Sequence, residues 1–213
     1  MPNKNIKLNV TNLVVSIDNN ITLFALDKFD GKNAVVLVFE TYDDSLKAYD
    51  FIKHTLKNTD VICLNSWNAE PYSFIYPDTF SVGKRLKAID QIQDNNKKII
   101  VADVKGLMQK FDKNIFNLVL KKGESFDFSK LSDLLTSNGY NRVEEVVAFG
   151  DFCIRGDIVD IFPSTEEKPC RIDFFGDEIE RIRIFDQMTQ LTTADVDRIE
   201  IYAANEIQLG EKE

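Results

Sequence analysis

A single histidine, His54, stands among the 213 residues. A histidine-based catalytic triad would have one possible member here, and no nucleophile motif accompanies it. His54 falls within a helical pattern, where a solvated or half-buried histidine is the ordinary reading. Cysteine is scarce as well. Cys63, Cys153 and Cys170 are odd in number and widely spaced, which argues against a disulfide framework and a zinc site and fits buried, reduced thiols. Positive charge is in deficit: 26 Lys and Arg face 35 Asp and Glu, a net charge of -9. The chain as a whole therefore lacks the basic field that drives phosphate-backbone binding, and strong direct nucleic-acid binding is not expected. Long apolar runs are missing too. No stretch approaches the roughly 20 residues of a membrane span. The opening MPNKNIKLNV has no apolar run of signal-peptide length, so a cytoplasmic location is expected.

A phosphate-binding loop is the last absence. Such a loop needs glycines that let backbone N–H groups close on the anion, then a lysine, then a helix N-terminus. Around Gly31-Lys32, Leu26 stands five residues before the glycine, Asn33 follows the lysine, and the next segment reads as a strand. Neither ATP nor another cofactor nor a metal is expected in this chain.

Enough apolar residues remain, 44% of the total, for one large or two small cores. The first half alternates two periods. Continuous apolar runs at 34–39, 61–64 and 99–102 predict strands. Leu46, Tyr49, Ile52 and Leu56, then Val82, Leu86, Ile89 and Ile92, predict helices, with a short helix near Leu107. Buried strands alternating with amphipathic helices imply a parallel sheet covered on both faces, an α/β arrangement. From about Ile115 the character changes. A short strand (IFNLVL) precedes a helix carrying Phe128, Leu131, Leu134 and Leu135, which Gly139 closes as a C-cap glycine. Strands alone follow, at about 143–148, 152–155, 158–162, 171–175, 178–185 and 198–202. Their short connections predict an antiparallel meander with the helix on one face, an α+β arrangement.

Two features invite a chemical reading and have plainer ones. Asp43/Asp44 and Glu144/Glu145 read as a helix start and an exposed strand edge rather than as catalytic carboxylates. The stretch WNAEPYSFIYP at 67–77 would suit base stacking, but it lacks flanking Lys and Arg and reads as a loop packed on the sheet edge.

The segment 152–189 carries most of the functional information. Period 2 places Arg171, Asp173 and Phe175 on one side of a strand and Ile172 and Phe174 on the other, so one side packs and the other presents. Arg181 and Arg183 likewise share a side of their strand, and Gly156 falls where a turn with positive φ is expected. An exposed arginine and aromatic set suits an interface anchor, because Arg offers a planar donor fork and Phe a large apolar area. On the residues alone, an equally ordinary reading is that these arginines pair with neighbours such as Asp173 and Glu178 on a solvated sheet.

RGDIVDIFP followed by PCRIDFFGDEIERIRIFD is similar to the region that the nucleotide-excision-repair protein UvrB shares with the transcription-repair coupling factors (Mfd), in the domain that binds UvrA. WNAEPYSFIYPDTFSVGKRLKAIDQI and KKGESFDFSKLSDLLTSNGYNRVEEVVAFGDFCIRG resemble the coupling factors. The glycine-rich ATP loop and the long tyrosine-rich damage-probing hairpin of UvrB have no counterpart in this sequence. The resemblance implies a degenerate, NTPase-like and UvrB-like α/β domain over 1–113 with a parallel sheet. It further implies a UvrA-binding α+β domain over 114–200 with a small antiparallel sheet, and at 201–213 the start of a return to the first domain. It maps UvrA contacts onto Arg155, Arg171 and Phe175. The implied function is that of a non-catalytic adaptor that recruits UvrA to stalled RNA polymerase. RNA polymerase, DNA and the ATP-driven motor would be engaged by domains of a full-length family member for which this chain, ending at Glu213, has no motifs; it is expected to be a fragment. The alternatives are a nucleotide-binding α/β enzyme fragment and a single-stranded-DNA module using Trp67, Tyr72 and Tyr76.

Overall fold

In a computed structural model of the chain the described residues are 10–16, by backbone alone, together with 34–67, 77–93, 98–111 and 114–206. Gly31-Lys32 and the tyrosines Tyr72 and Tyr76 lie outside them. The chain divides into two units, one formed by 1–77 with 88–113 and the other by 78–87 with 114–213. The division falls inside a helix.

The first unit is a four-stranded sheet in the order β1-β2-β4-β3, formed by β1 (Val10–Ser16), β2 (Ala34–Phe39), β3 (Asp60–Leu64) and β4 (Lys98–Asp103). Every pairing in it is parallel. The two central strands are the continuous apolar runs, and all six residues of β4 are buried, as a strand covered on both sides requires. β1 was not anticipated, because its VTNLVVS mixes polar residues into the apolar pattern. Helix α1 (Tyr42–Thr55) starts where Thr41 Oγ1 accepts from Asp44 N at 3.1 Å, and Asp43 and Asp44 occupy its positive first turn. The acidic pair is thus a helix start. Ala48 and Ile52 of α1 pack against Val35, Leu37, Phe39, Ile99 and Val101. Burying each of the larger of these side chains stabilises by roughly 1.5–3 kcal/mol. His54 lies exposed in the last turn of α1, its Nδ1 2.7 Å from the Asp50 carbonyl oxygen.

Helix α2 (Thr79–Ile92) gives its first turns to the second unit, and the short α3 (Val104–Met108) follows β4 in the first. Asp103 caps α3 and also accepts from Ser66 N at 2.7 Å, tying the end of β3 to that of β4.

The second unit holds β5 (Asn117–Lys121), α4 (Phe128–Ser137), β6 (Asn141–Arg142), β7 (Asp151–Arg155), β8 (Ile158–Ile161), β9 (Cys170–Phe175), β10 (Glu178–Phe185), β11 (Thr192–Val196) and β12 (Arg198–Tyr202). Six strands form one sheet in the order β11-β10-β9-β8-β7-β6, antiparallel except for the short β6–β7 pairing. β12 pairs instead with β5 in an antiparallel ribbon. Helix α4 ends as a Schellman motif: Tyr140 N donates to Leu135 O and Gly139 N to Thr136 O, each at 3.1 Å, with Gly139 at φ +85. Leu131 and Leu135 on its inner side meet Phe152, Val159, Ile161, Ile172, Phe174 and Ile182 of the sheet. The first turns of α2 join the same unit. Phe80 stacks on Phe149 with ring centroids 4.7 Å apart, Arg85 lies 3.3 Å from Glu206 with both side chains buried, and Gly83 abuts Ser164.

The expected strand at 143–148 is a loop; Glu144 and Glu145 sit in bends, not on a strand edge. Its apolar residues serve another purpose. Val143 N still donates to Phe152 O at 2.9 Å, but Val146 is buried with Cys153, Phe162 and Phe185, so the rest of the loop folds over one end of the sheet.

Candidate partner-binding face

The face of the six-stranded sheet opposite α4 is set by strand period. On β9, Cys170, Ile172 and Phe174 enter the core, which leaves Arg171, Asp173 and Phe175 on the other side. Register extends that side across neighbouring strands. Asp160 of β8 stands opposite Arg171, Ile158 opposite Asp173, Cys153 of β7 opposite Asp160, and Arg155 opposite Ile158. On β10, Arg183 lies across from Arg171 and Arg181 from Asp173, and a register shift between Ile179 and Arg181 makes room for Glu180.

The outer end is open and apolar. Phe175 is 74% exposed and Ile158 38% exposed, on adjacent strands and diagonal to each other in register. Phe175 closes β9 at a two-residue turn whose Gly176 has φ +60, and Arg155 does the same on β7 before Gly156, φ +59. Both tips need a left-handed residue, and glycine takes that conformation without steric cost. Ile158 was not singled out from the sequence. The alternation that marked β9 also runs through β8, and with Val159 and Ile161 in the core it points Ile158 outward.

The inner end is charged and dense. Arg171 grips Asp160 through Nε at 2.6 Å and Nη2 at 2.8 Å, and its guanidinium lies 4.8 Å above the Phe185 ring. That hydrogen bond raises the Arg171 pKa, and its side chain is only 19% exposed. Arg183 holds Asp173 with Nη2 at 2.5 and 2.7 Å. Arg181 holds Asp195 through Nε at 2.6 Å and Nη2 at 3.0 Å, raising the arginine pKa and lowering the carboxyl's. Arg155 differs. Its Nη2 donates to the Glu144 carbonyl at 2.6 Å, its Nη1 reaches Asp160 only at 3.5 Å, and its side chain is 53% exposed. Four arginines, 155, 171, 181 and 183, thus face three aspartates, 160, 173 and 195. Arg155 is the one of the four without a bidentate or close carboxylate partner.

The three residues picked out from sequence therefore share one face of the sheet, on β7 and β9, but not one state. Arg155 and Phe175 are presented, whereas Arg171 is largely committed inside the sheet. Elsewhere, Trp67 is half-buried and its backbone N–H donates to Gln109 Oε1 at 3.3 Å. Cys153 and Cys170 are buried thiols and Cys63 is half-buried, and burial pushes the Cys170 pKa up. Among the described residues no cluster of three or more His, Cys, Asp or Glu is placed to hold a metal, and no helix is long and apolar enough to cross a membrane.

Residues 118–207 match the family model described as the UvrB interaction domain. The chain is 32% identical to the transcription-repair-coupling factor of Escherichia coli over 178 residues, 81% of this chain and 15% of that protein. It is 32% identical to the Haemophilus influenzae protein of the same name over 74% of this chain and 14% of that one. With the UvrABC system protein B of Thermotoga neapolitana it shares 34% identity over 62% of this chain and 20% of that protein. The chain thus spans about a seventh of the coupling factors it matches.

Proposed function

From the premise that residues 118–207 of this chain belong to the UvrB interaction domain family, with coupling factors among the chain's relatives, we propose that it is a non-catalytic adaptor that binds UvrA through the face carrying Arg155, Ile158 and Phe175. The observation that carries this reading is Phe175, a large apolar side chain 74% exposed at a hairpin tip, on the same face as the half-exposed Arg155. Water gains nothing from such an arrangement, whereas a partner offering an apolar pocket and a carboxylate would bury Phe175 and neutralise Arg155. Arg171 belongs to the same face but contributes chiefly as a support.

In the same proposal, the adaptor brings UvrA to a stalled RNA polymerase for nucleotide excision repair. ATP-driven translocation on DNA and contact with polymerase are assigned to the remainder of a coupling factor, which this chain does not span. The test is capture of UvrA by the parent chain and by Arg155→Ala, Arg171→Ala and Phe175→Ala. Loss of an interface anchor costs about 2 kcal/mol, roughly thirty-fold in affinity. Three folded variants that all bind UvrA like the parent would remove this face from consideration.

A further inference from the structure

Asp160 is 3% exposed, in the middle of a face on which Arg155 is 53% and Phe175 74% exposed. A buried carboxylate is retained at a cost unless its oxygens are paired. Here Oδ1 accepts from Arg171 Nε, Oδ2 accepts from Arg171 Nη2, and Oδ2 also lies 3.5 Å from Arg155 Nη1. One carboxylate therefore holds two arginines from the strands on either side, β7 and β9.

Resting on the UvrA-binding reading, we propose that Asp160 is a positioning residue of this face, acting on the partner through Arg155 and Arg171. Arginine carries several rotatable bonds, and an unrestrained side chain must be immobilised when a complex forms. Asp160, the Glu144 carbonyl and the Phe185 ring fix both guanidiniums in the free protein, so that immobilisation has already occurred before the partner arrives. Two opposed consequences follow from removing the charge. Coulomb attraction for an acidic partner rises, which on its own would tighten binding, while the loss of fixed geometry weakens it. If Asp160 positions the arginines, the second effect dominates.

The experiment measures UvrA affinity of the parent and of Asp160→Asn, each also in the Arg171→Ala background and at two salt concentrations. Asp160→Asn is expected to weaken binding about tenfold while steepening its salt dependence, and that loss should shrink to about twofold once Arg171 is absent. In the folded parent the Arg171 Nε–H should give a resolved, exchange-protected NMR signal, which needs no variant. Tighter binding by Asp160→Asn, an undiminished loss in the Arg171→Ala background, or absence of that signal in the folded parent overturns the proposal. A folded parent that does not bind UvrA would instead overturn the functional reading, while the Nε–H signal still reports whether Asp160 restrains the arginine.

Discussion

Asp177 Oδ1 accepts a hydrogen bond from the backbone N–H of Phe128 at 3.1 Å, so a hairpin tip 49 residues downstream caps the N-terminus of helix α4. Asp127, the residue at the N-cap position itself, makes no side-chain cap bond. Asp177→Ala should therefore destabilise the second unit by about 1 kcal/mol, although the residue lies outside the helix. Urea unfolding followed by circular dichroism measures this, and an Asp127→Ala variant with the larger loss would contradict it.

Phe174 and Phe175 are adjacent and should behave in opposite ways. Phe174 is 4% exposed and meets the Phe128 ring edge-on at 5.0 Å. Phe174→Ala should cost about 3–5 kcal/mol of stability. Phe175→Ala should leave the unfolding midpoint within about 0.5 kcal/mol of the parent and cost UvrA binding alone. Paired denaturation and capture measurements separate the two.

Tyr140 supplies a pH signature. Its hydroxyl donates to Tyr202 O at 2.7 Å and accepts from Ser164 N at 3.2 Å, and burial pushes its pKa up to about 12. The folded state then holds the phenolic proton more tightly than the unfolded chain, whose tyrosine titrates near 10. The associated stability is fully present below about pH 10 and is lost as pH rises toward 12, in total on the order of 2–3 kcal/mol. Tyr140→Phe should be less stable than the parent at neutral pH by about 1–3 kcal/mol, and the gap should narrow between pH 10 and 12. A gap constant across that window would contradict the assignment.

Gly83 sits inside α2, where alanine ordinarily stabilises by up to about 1 kcal/mol. A Cβ at this position would lie 2.4 Å from the Ser164 carbonyl oxygen, which is backbone and cannot step aside. Gly83→Ala is expected to lower the melting temperature, against propensity. A rise would mean that the helix does not approach Ser164 so closely.

The parts of the fold that could be read in advance are those whose cause is local. β2 and β4 are apolar throughout because both sides are covered, α1 announces itself through Thr41 and the acidic pair, and α4 through its spacing and Gly139. The alternation of β9 separated Phe174 from Phe175 correctly. What escaped depends on distant partners. β11, Thr-Thr-Ala-Asp-Val, is a nearly fully exposed edge strand with no periodic signal, held by its backbone pairing to β10. β12 looks like one more strand of the meander, and its choice of β5 is set by a residue separation no spacing rule carries. Val143, Val146 and Val147 have strand composition, yet Val143 and Val146 cover the small cluster at Cys153 and Phe185. At the candidate face, Arg155, Arg171 and Phe175 were visible as types out of place, but the division of labour among them was not. Asp160 was not singled out at all, and only the arginines on either side of it explain its burial.

The split of α2 between the units bears on how this protein can be cut and moved. The segment that sequence comparison delineates, 118–207, is not the segment that folds together, because 78–87 contributes Phe80, Gly83 and Arg85 to the same unit. A cassette transplanted by its sequence limits would leave Phe149 without its stacking partner and Glu206 without Arg85. In this protein the matched segment and the packed unit have different edges, and a graft that respects the second must carry a helix borrowed from upstream.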